Sequence, residues 1–478
     1  MKKRIILTLL TALIYYSANS QSCDCKTNFD SLVTKVQESY AGYFDKNAGK
    51  NALRYNQFRD NLSLKAKSAA YYPCYLLLRE YLSFFKDPHL NLLMVNISSR
   101  DKYQDTLKSM FSSIKRLPID TNELRQYYQK GPNDEIEGIW NALSFDFKIA
   151  IRKDGTGRKN RYEGIAIKTD SIKWFTGQLK MNIEREGELY RVEYFKNDHL
   201  PDTVFGNLHR GILSLDGNYG KWKKIYPASA VDISDSNSSN IEPLISFRKV
   251  SKDICILKIQ DFWVTNKPAV DSIVGANLST IKETPYLIVD VRDNGGGHSM
   301  TYDTILPFIY TKPFKNDGFV VRASKDNISL YKETLDDPNY ADIAAKLKKI
   351  VQKMEENIGE MVVIAAPDSF SYKKVMPFPK KVAVLVNKKT GSAAELFVRY
   401  AKQSDKVIIV GTNTKGALDY TEIARPRDLP CPYLKFYCPM GTGNHITFPL
   451  IDNVGISPDV RWTGDKIDAK FFMDIMSK

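Results

Sequence analysis

Residues 286–298 read Tyr286-Leu287-Ile288-Val289-Asp290-Val291-Arg292-Asp293-Asn294-Gly295-Gly296-Gly297-His298, an apolar strand that runs into three glycines. A continuous apolar run of this length suits a strand covered on both faces, as in a parallel α/β sheet. Glycines at its end can take positive φ and let backbone N–H groups approach a bound group, so the turn can form an anion or oxyanion cradle. Some one hundred residues on, Val382-Ala383-Val384-Leu385-Val386-Asn387 is a second such strand. It passes through Lys388-Lys389-Thr390-Gly391 into Ser392-Ala393-Ala394-Glu395-Leu396-Phe397, where Leu396, Phe397, Tyr400 and Ala401 form the apolar stripe of a helix.

Ser392 is thereby placed at a helix N-terminus, where the first N–H groups have no intrahelical partner and the macrodipole adds partial positive charge. A hydroxyl there can attack a carbonyl while Ala393 N–H and a glycine N–H, from Gly296 or Gly297, receive the developing oxyanion. Taken singly, each motif reads more simply as an N-cap serine or a glycine turn. Their pairing on two apolar strands favours the catalytic reading.

The run Asp290 to Gly297, the turn Thr390 to Glu395, the strand Val407-Ile408-Ile409-Val410-Gly411 and the segment Gly455-Ile456-Ser457-Pro458-Asp459 together resemble the tail-specific (C-terminal processing) serine peptidases, in the same order and over about Ile245 to Val460. The resemblance implies an α/β core of the crotonase-like kind, a superhelix of strand-strand-helix units. Many members of that family use a Ser–Lys dyad. Here the position of the dyad lysine holds Ala417, and Lys415 falls two residues early, a shift of about 6–7 Å along an extended segment. The chain looks closer to the branch that includes the tricorn core and the retinoid-binding-protein-like modules. That branch takes a histidine from an N-terminal helical region and a carboxylate from a C-terminal segment.

The matching segments are Phe84-Phe85-Lys86-Asp87-Pro88-His89 and Ile451-Asp452-Asn453-Val454-Gly455, with Pro88 in place of a glycine and Asp452 in place of a glutamate. The resemblance therefore assigns Ser392 as nucleophile, His89 as general base and Asp452 as a supporting carboxylate, with Gly296, Gly297 and Ala393 around the oxyanion. Serine needs such a base to take its proton, and histidine titrates in the right range. His298, beside the glycine loop, and His445, before the Asp452 segment, are rival bases. His199 and His209 lie in a polar stretch and read as surface residues, and Asp290, Arg292 and Asp293 as braces of the glycine loop.

Met1-Lys2-Lys3-Arg4, an apolar Ile5–Tyr16 and the small residues Ala18 and Ser20 form a secretory signal pattern, with cleavage expected before Gln21 and a periplasmic destination. A lipoprotein through Cys23 is the less favoured alternative. No later run approaches the twenty or so apolar residues that a bilayer span needs, so no stable membrane insertion is expected after cleavage. Cys255 sits in a strand pattern as a buried thiol, Cys431 and Cys438 flank a short loop that a disulfide could close, and Cys23 or Cys25 could pin to Cys74. The cysteine spacings match no usual zinc template, and neither a metal nor another cofactor is expected. The formal charge is +14, but the basic residues are dispersed, as in Lys221-Trp222-Lys223-Lys224. Nucleic-acid binding wants a concentrated stripe, so none is expected.

The organisation is read as a signal peptide (1–20), a helical cap (21–130), a β-rich middle domain without a recognisable PDZ carboxylate loop (136–240), and an α/β catalytic core (241–478). In the cap, Phe29, Leu32, Val33 and Val36 recur at helical spacing, and Tyr75–Phe85 is an apolar stripe that delivers His89. In the middle domain Phe145–Ile151 and Tyr162–Ile167 flank Asp154-Gly155 as a hairpin. In the core, helices are expected near Val270–Ile281 and over Asp337–Met361, the latter as a lid or as a helix packed on the core. The function expected is a secreted serine endopeptidase acting through an acyl-enzyme on peptides or unfolded protein segments. Two alternatives stand: an inactive peptide- or lipid-binding member of the same fold, and another hydrolase or acyl transferase using the same cradle.

Overall fold

The computed structural model describes residues 23–95, 104–131, 133–215, 219–227, 243–422, 425–443, 448–464 and 467–477. The signal pattern before Gln21 and the rival base His445 lie outside the described residues.

The two apolar strands become neighbours in the central sheet. Its strand order is Ile245–Lys249, Ile254–Ile259, Tyr286–Asp290, Lys381–Val386, Val407–Gly411 and Val460–Arg461. The first pair is antiparallel and the remaining pairs are parallel, with Val289 opposite Val384 and Val384 opposite Ile409. Both faces are buried. Leu287, Val289, Val382 and Val384 pack with Phe397 and Val270 on one side, while Ile288, Ala383 and Leu385 pack with Phe472 and Met476 on the other. That double coverage is why these strands read as unbroken apolar runs. Parallel strands bring all their carboxyl ends to one edge, so the glycine loop, the serine turn and the Thr412–Ala417 segment converge there.

In the cap, helices Cys25–Ser39 and Tyr71–Ser83 pack through Phe29, Leu32, Tyr81 and Leu82. The first is capped by Asp24, whose carboxylate accepts from Thr27 N at 2.9 Å. The cap's core continues without a break into Leu429, Tyr433 and Phe436 of the C-terminal half. The strand Asn91–Met94 seals this joint by pairing antiparallel with Leu434–Tyr437. His89, two residues before that strand, is thus held against the C-terminal half of the chain.

The middle region is a closed barrel of eight antiparallel strands from Gly138–Ala142 to Lys221–Tyr226. Trp140, Trp174 and Trp222 fill its interior with the apolar faces of the strands.

Several expectations are corrected. Cys431 pairs with Cys23 rather than Cys438, and the second disulfide joins Cys25 to Cys74; Cys255 and Cys438 are buried free thiols. His199 is not a surface residue. Its ring stacks on Trp174 at 3.9 Å and its Nε2 lies 2.6 Å from Lys173 O, because the stretch that reads as polar folds back over the barrel's end. His209 is exposed. The helix expected over Asp337–Met361 spans only Ala344–Glu355; a 3-10 turn precedes it and Met361 already begins a strand. Leu347, Ile350 and Met354 pack it against Ile328 and Tyr331 of a neighbouring helix, in a small apolar cluster apart from that of the central sheet. The helix near Val270–Ile281 is two, Lys267–Ala276 and Leu278–Glu283, broken at Asn277.

Candidate active site

Ser392 is the N-cap of the helix Ala393–Ala401 and adopts φ 54°, ψ −122°, a region that side-chain-bearing residues rarely occupy. Such a conformation costs on the order of 1–3 kcal/mol and persists only where its surroundings over-determine it. The determinants are visible. Glu395, fully buried, accepts hydrogen bonds from Ser392 N at 3.0 Å, Thr414 Oγ1 at 2.6 Å, Gly416 N at 2.7 Å and Ala417 N at 2.8 Å. Thr390 Oγ1 donates to Val291 O, and Gly391 N donates to Asn294 O at 2.9 Å. Asn294, also fully buried, donates through Nδ2 to Ile259 O and accepts from Gly296 N at 2.9 Å.

The glycine loop and the serine turn touch. A Cβ added at Gly296 would lie 2.7 Å from Ser392 Cβ and 2.9 Å from Ala393 N, so only glycine permits this approach. Gly296 N–H is nevertheless committed to Asn294, which removes it from the expected oxyanion donors. Gly297 differs. It forms a parallel bridge with Phe262 in which Gly296 O accepts from Phe262 N and His298 N donates to Phe262 O, leaving Gly297 N–H on the opposite side. Among the described residues neither Gly297 N–H nor Ala393 N–H has a hydrogen-bond partner. Asp290, Arg292 and Asp293 brace the loop: Asp290 holds Arg292 through both carboxylate oxygens, and Asp293 accepts from Asn387 Nδ2 at 3.0 Å.

His89 follows the left-handed Lys86 and the buried Asp87, whose Oδ1 accepts His89 N at 2.8 Å and Oδ2 accepts Tyr40 Oη at 2.8 Å. His89 Nδ1 lies 2.9 Å from Tyr420 O. A carbonyl can only accept, so Nδ1 carries the proton and Nε2 is left as the basic nitrogen. Burial is the chief influence that lowers the His89 pKa; Asp87 opposes it, while Lys415 lowers it further and Glu395 raises it. The turn that carries His89 is tied towards the serine side by Asn453, whose Nδ2 donates to Lys86 O and whose N donates to Gly416 O at 2.9 Å, next to Lys415. Among the described residues no hydrogen bond joins His89 to Ser392.

Among the described residues no hydrogen bond joins Asp452 to His89. Asp452 Oδ1 accepts Asp419 N at 3.1 Å, while Asp419 Oδ2 accepts Ile451 N and Asp452 N. It therefore braces the peptide that ends in Tyr420, whose carbonyl orients the histidine. Burial first, then the carboxylates of Asp87 and Asp419, push its pKa up to about 7, and Lys46 stands 3.6 Å from Oδ2.

Two further positions are informative. Lys415, expected to fall short, lies over the serine turn: a Cβ at Gly391 would meet its Cδ at 3.0 Å. The distance read from an extended chain does not apply, because Gly416 turns with φ 74° and Lys415 N is tied to Thr390 O at 2.8 Å. His298, the other described rival base, is exposed and caps the short turn Ser299–Tyr302 by accepting Met300 N at 3.3 Å. Glu395, Asn294, Asp419 and Tyr420 escaped the sequence reading as organisers of the site. Only the spacing of Glu395 three residues after Ser392 carried a signal, that of a capping box.

Residues 253–461 match the family model for peptidase family S41. This part of the chain is similar to the peptidases of family S41. The peptidases of that family are serine proteases. A curated protein of Chlamydia trachomatis (serovar D) is 27% identical over 117 residues, a stretch that makes up 23% of this chain and 19% of that protein. Among solved structures, mature CPAF complexed with lactacystin gives a TM-score of 0.47 at 15% identity, covering 95% of this chain and 98% of that one. The photosystem II D1 C-terminal processing protease gives 0.40 at 12% identity, with 95% and 97% covered. The tricorn protease gives 0.39 at 13%, with 95% of this chain and 36% of that one.

Proposed function

We propose that the protein is a secreted serine endopeptidase that cleaves peptides or unfolded segments through an acyl-enzyme on Ser392. The observation that supports this reading most is the strained serine turn packed against the glycine loop, with two amides, Gly297 N–H and Ala393 N–H, that have no hydrogen-bond partner among the described residues. In this mechanism His89 Nε2 takes the Ser392 proton as Oγ attacks the scissile carbonyl, and the two amides receive the oxyanion. Collapse of the intermediate expels the amine, protonated by His89, and leaves an ester on Ser392. Water, deprotonated by His89, then hydrolyses the ester and restores the serine. Asp452 is a positioning residue acting through Asp419 and Tyr420. Lys415, over the same turn, contributes positive charge to the site.

The test is hydrolysis of an unfolded protein such as reduced casein by the mature chain, with Ser392→Ala alongside. Cleavage at internal bonds that falls at least about 10³-fold in the variant is expected. Cleavage retained by Ser392→Ala would sink the proposal. Tight binding of a peptide or lipid without turnover, unchanged by that substitution, would favour the binding-protein alternative.

A further inference from the structure

Beyond the serine turn lies a cavity of about 490 Å³. Leu396, Arg399 and Tyr400 of the serine helix form one side, and Leu396 is one helical turn from Ser392. A second side is Ser299 and Tyr302, which follow the glycine loop. Leu418 and Thr421 flank Tyr420, the residue that orients His89. The serine helix, the segment after the glycine loop and the peptide that orients His89 thus share this one hollow.

Its other walls are aromatic: Phe319, Phe370, Tyr372 and Phe448. Phe370 packs edge-on against Tyr400 with ring centroids 5.4 Å apart and against Tyr372 at 6.4 Å, so the walls brace one another around an open space. The charged lining residues are two acids, Asp303 and Asp317, and two bases, Lys315 and Arg399, so no net charge selects an ionic occupant. Arg399 is already engaged by Asp419 at 3.4 Å and by Pro449 O at 3.0 Å. A small side chain would leave such a cavity unfilled. A large ring would occupy more of it and meet ring edges and faces on several sides.

Resting on the peptidase reading, we infer that this cavity receives the side chain of the residue whose carbonyl is attacked, and that it selects a large aromatic one. The carbonyl bound by Gly297 and Ala393 belongs to that residue, and the cavity opens where the elements carrying those two amides continue.

The experiment measures kcat/KM on peptides that differ only in the residue before the scissile bond, with Phe, Leu, Ala, Lys or Asp there. It is run on the wild type, on Ala365→Trp, which narrows the cavity from a strand outside the catalytic machinery, and on Phe370→Leu, which removes one aromatic ring from its wall. Labelling of Ser392 by a small fluorophosphonate is followed in parallel, because that reagent needs no subsite. Phe over Ala by roughly 30-fold or more is expected, falling below about 3-fold in Ala365→Trp, with labelling rates unchanged. Labelling with no discrimination before the bond, a preference expressed only after it, or a preference untouched by both variants overturns the subsite. A wild type that neither labels nor cleaves removes the peptidase reading itself, and the subsite with it.

Discussion

A serine held at positive φ is stable only as part of the network beneath it, and Glu395 is the centre of that network. Four donors converge on its buried carboxylate. Glu395→Gln keeps the shape but turns one oxygen into a donor facing donors. The loss is expected to be about 2–4 kcal/mol of stability, read as a lowered Tm, together with loss of Ser392 reactivity. An unchanged Tm would show that the turn is held by other means. For His89, burial holds the pKa below the ordinary 6.5, so the imidazole is neutral and able to accept a proton at neutral pH. Catalysis by this base should fall as pH drops through a value below 6.5, and a pH–rate profile of kcat/KM that falls already above 6.5 would argue against it. Stability moves the same way: between that lowered pKa and 6.5 the unfolded chain holds a proton the folded one does not, so stability rises with pH there. Ser392 and the glycine run were legible in the sequence because local rules place them at strand ends. The commitment of Gly296 N–H to Asn294 and the indirect role of Asp452 were not, because both depend on chain segments far apart in sequence.

Among the elements, the central strands were legible for a plain reason: burial on both faces leaves continuous apolar runs. The Asp337–Met361 stretch misled because helical periodicity continues past the point where the chain turns into a strand. The barrel shows how little a polar stretch says about burial. Lys180, nearly inaccessible, donates to Phe195 O at 2.6 Å, with its Nζ 4.0 Å from the Trp174 ring centroid and 4.3 Å from that of Tyr194. Burial pulls its pKa down to about 7. Between pH 7 and its ordinary 10.5 the unfolded chain carries a proton that the folded chain lacks, so stability rises with pH across that window. Lys180→Met should remove this slope. Its stabilising effect relative to wild type, on the order of a few kcal/mol, should be largest near pH 7 and smallest near pH 10 in denaturant melts. A variant whose difference from wild type does not change with pH would refute the buried neutral lysine.

For the whole molecule, the cap does more than cover the core. It carries His89, the proposed base, and it is tied to the C-terminal half by the Asn91–Met94 pairing, by a shared apolar core and by the Cys23–Cys431 disulfide, whose partners lie 408 residues apart. The paired substitution Cys23→Ala with Cys431→Ala should lower stability by about 2–5 kcal/mol, measured by denaturant unfolding of the oxidised protein. An unchanged unfolding midpoint would mean that the joint holds without its covalent tie. The sequence carried each half of this joint but not the pairing, since two cysteines flanking a short loop look like better partners than two at opposite ends of the chain. The central claim is that Ser392 is activated by a histidine delivered across that joint. Fluorophosphonate labelling of the mature protein, with the adduct located by peptide mass mapping, tests it in His89→Ala and Lys415→Met beside the wild type. The account predicts an adduct on Ser392 that is lost in His89→Ala and persists in Lys415→Met; an adduct that survives without His89 and disappears without Lys415 would contradict it.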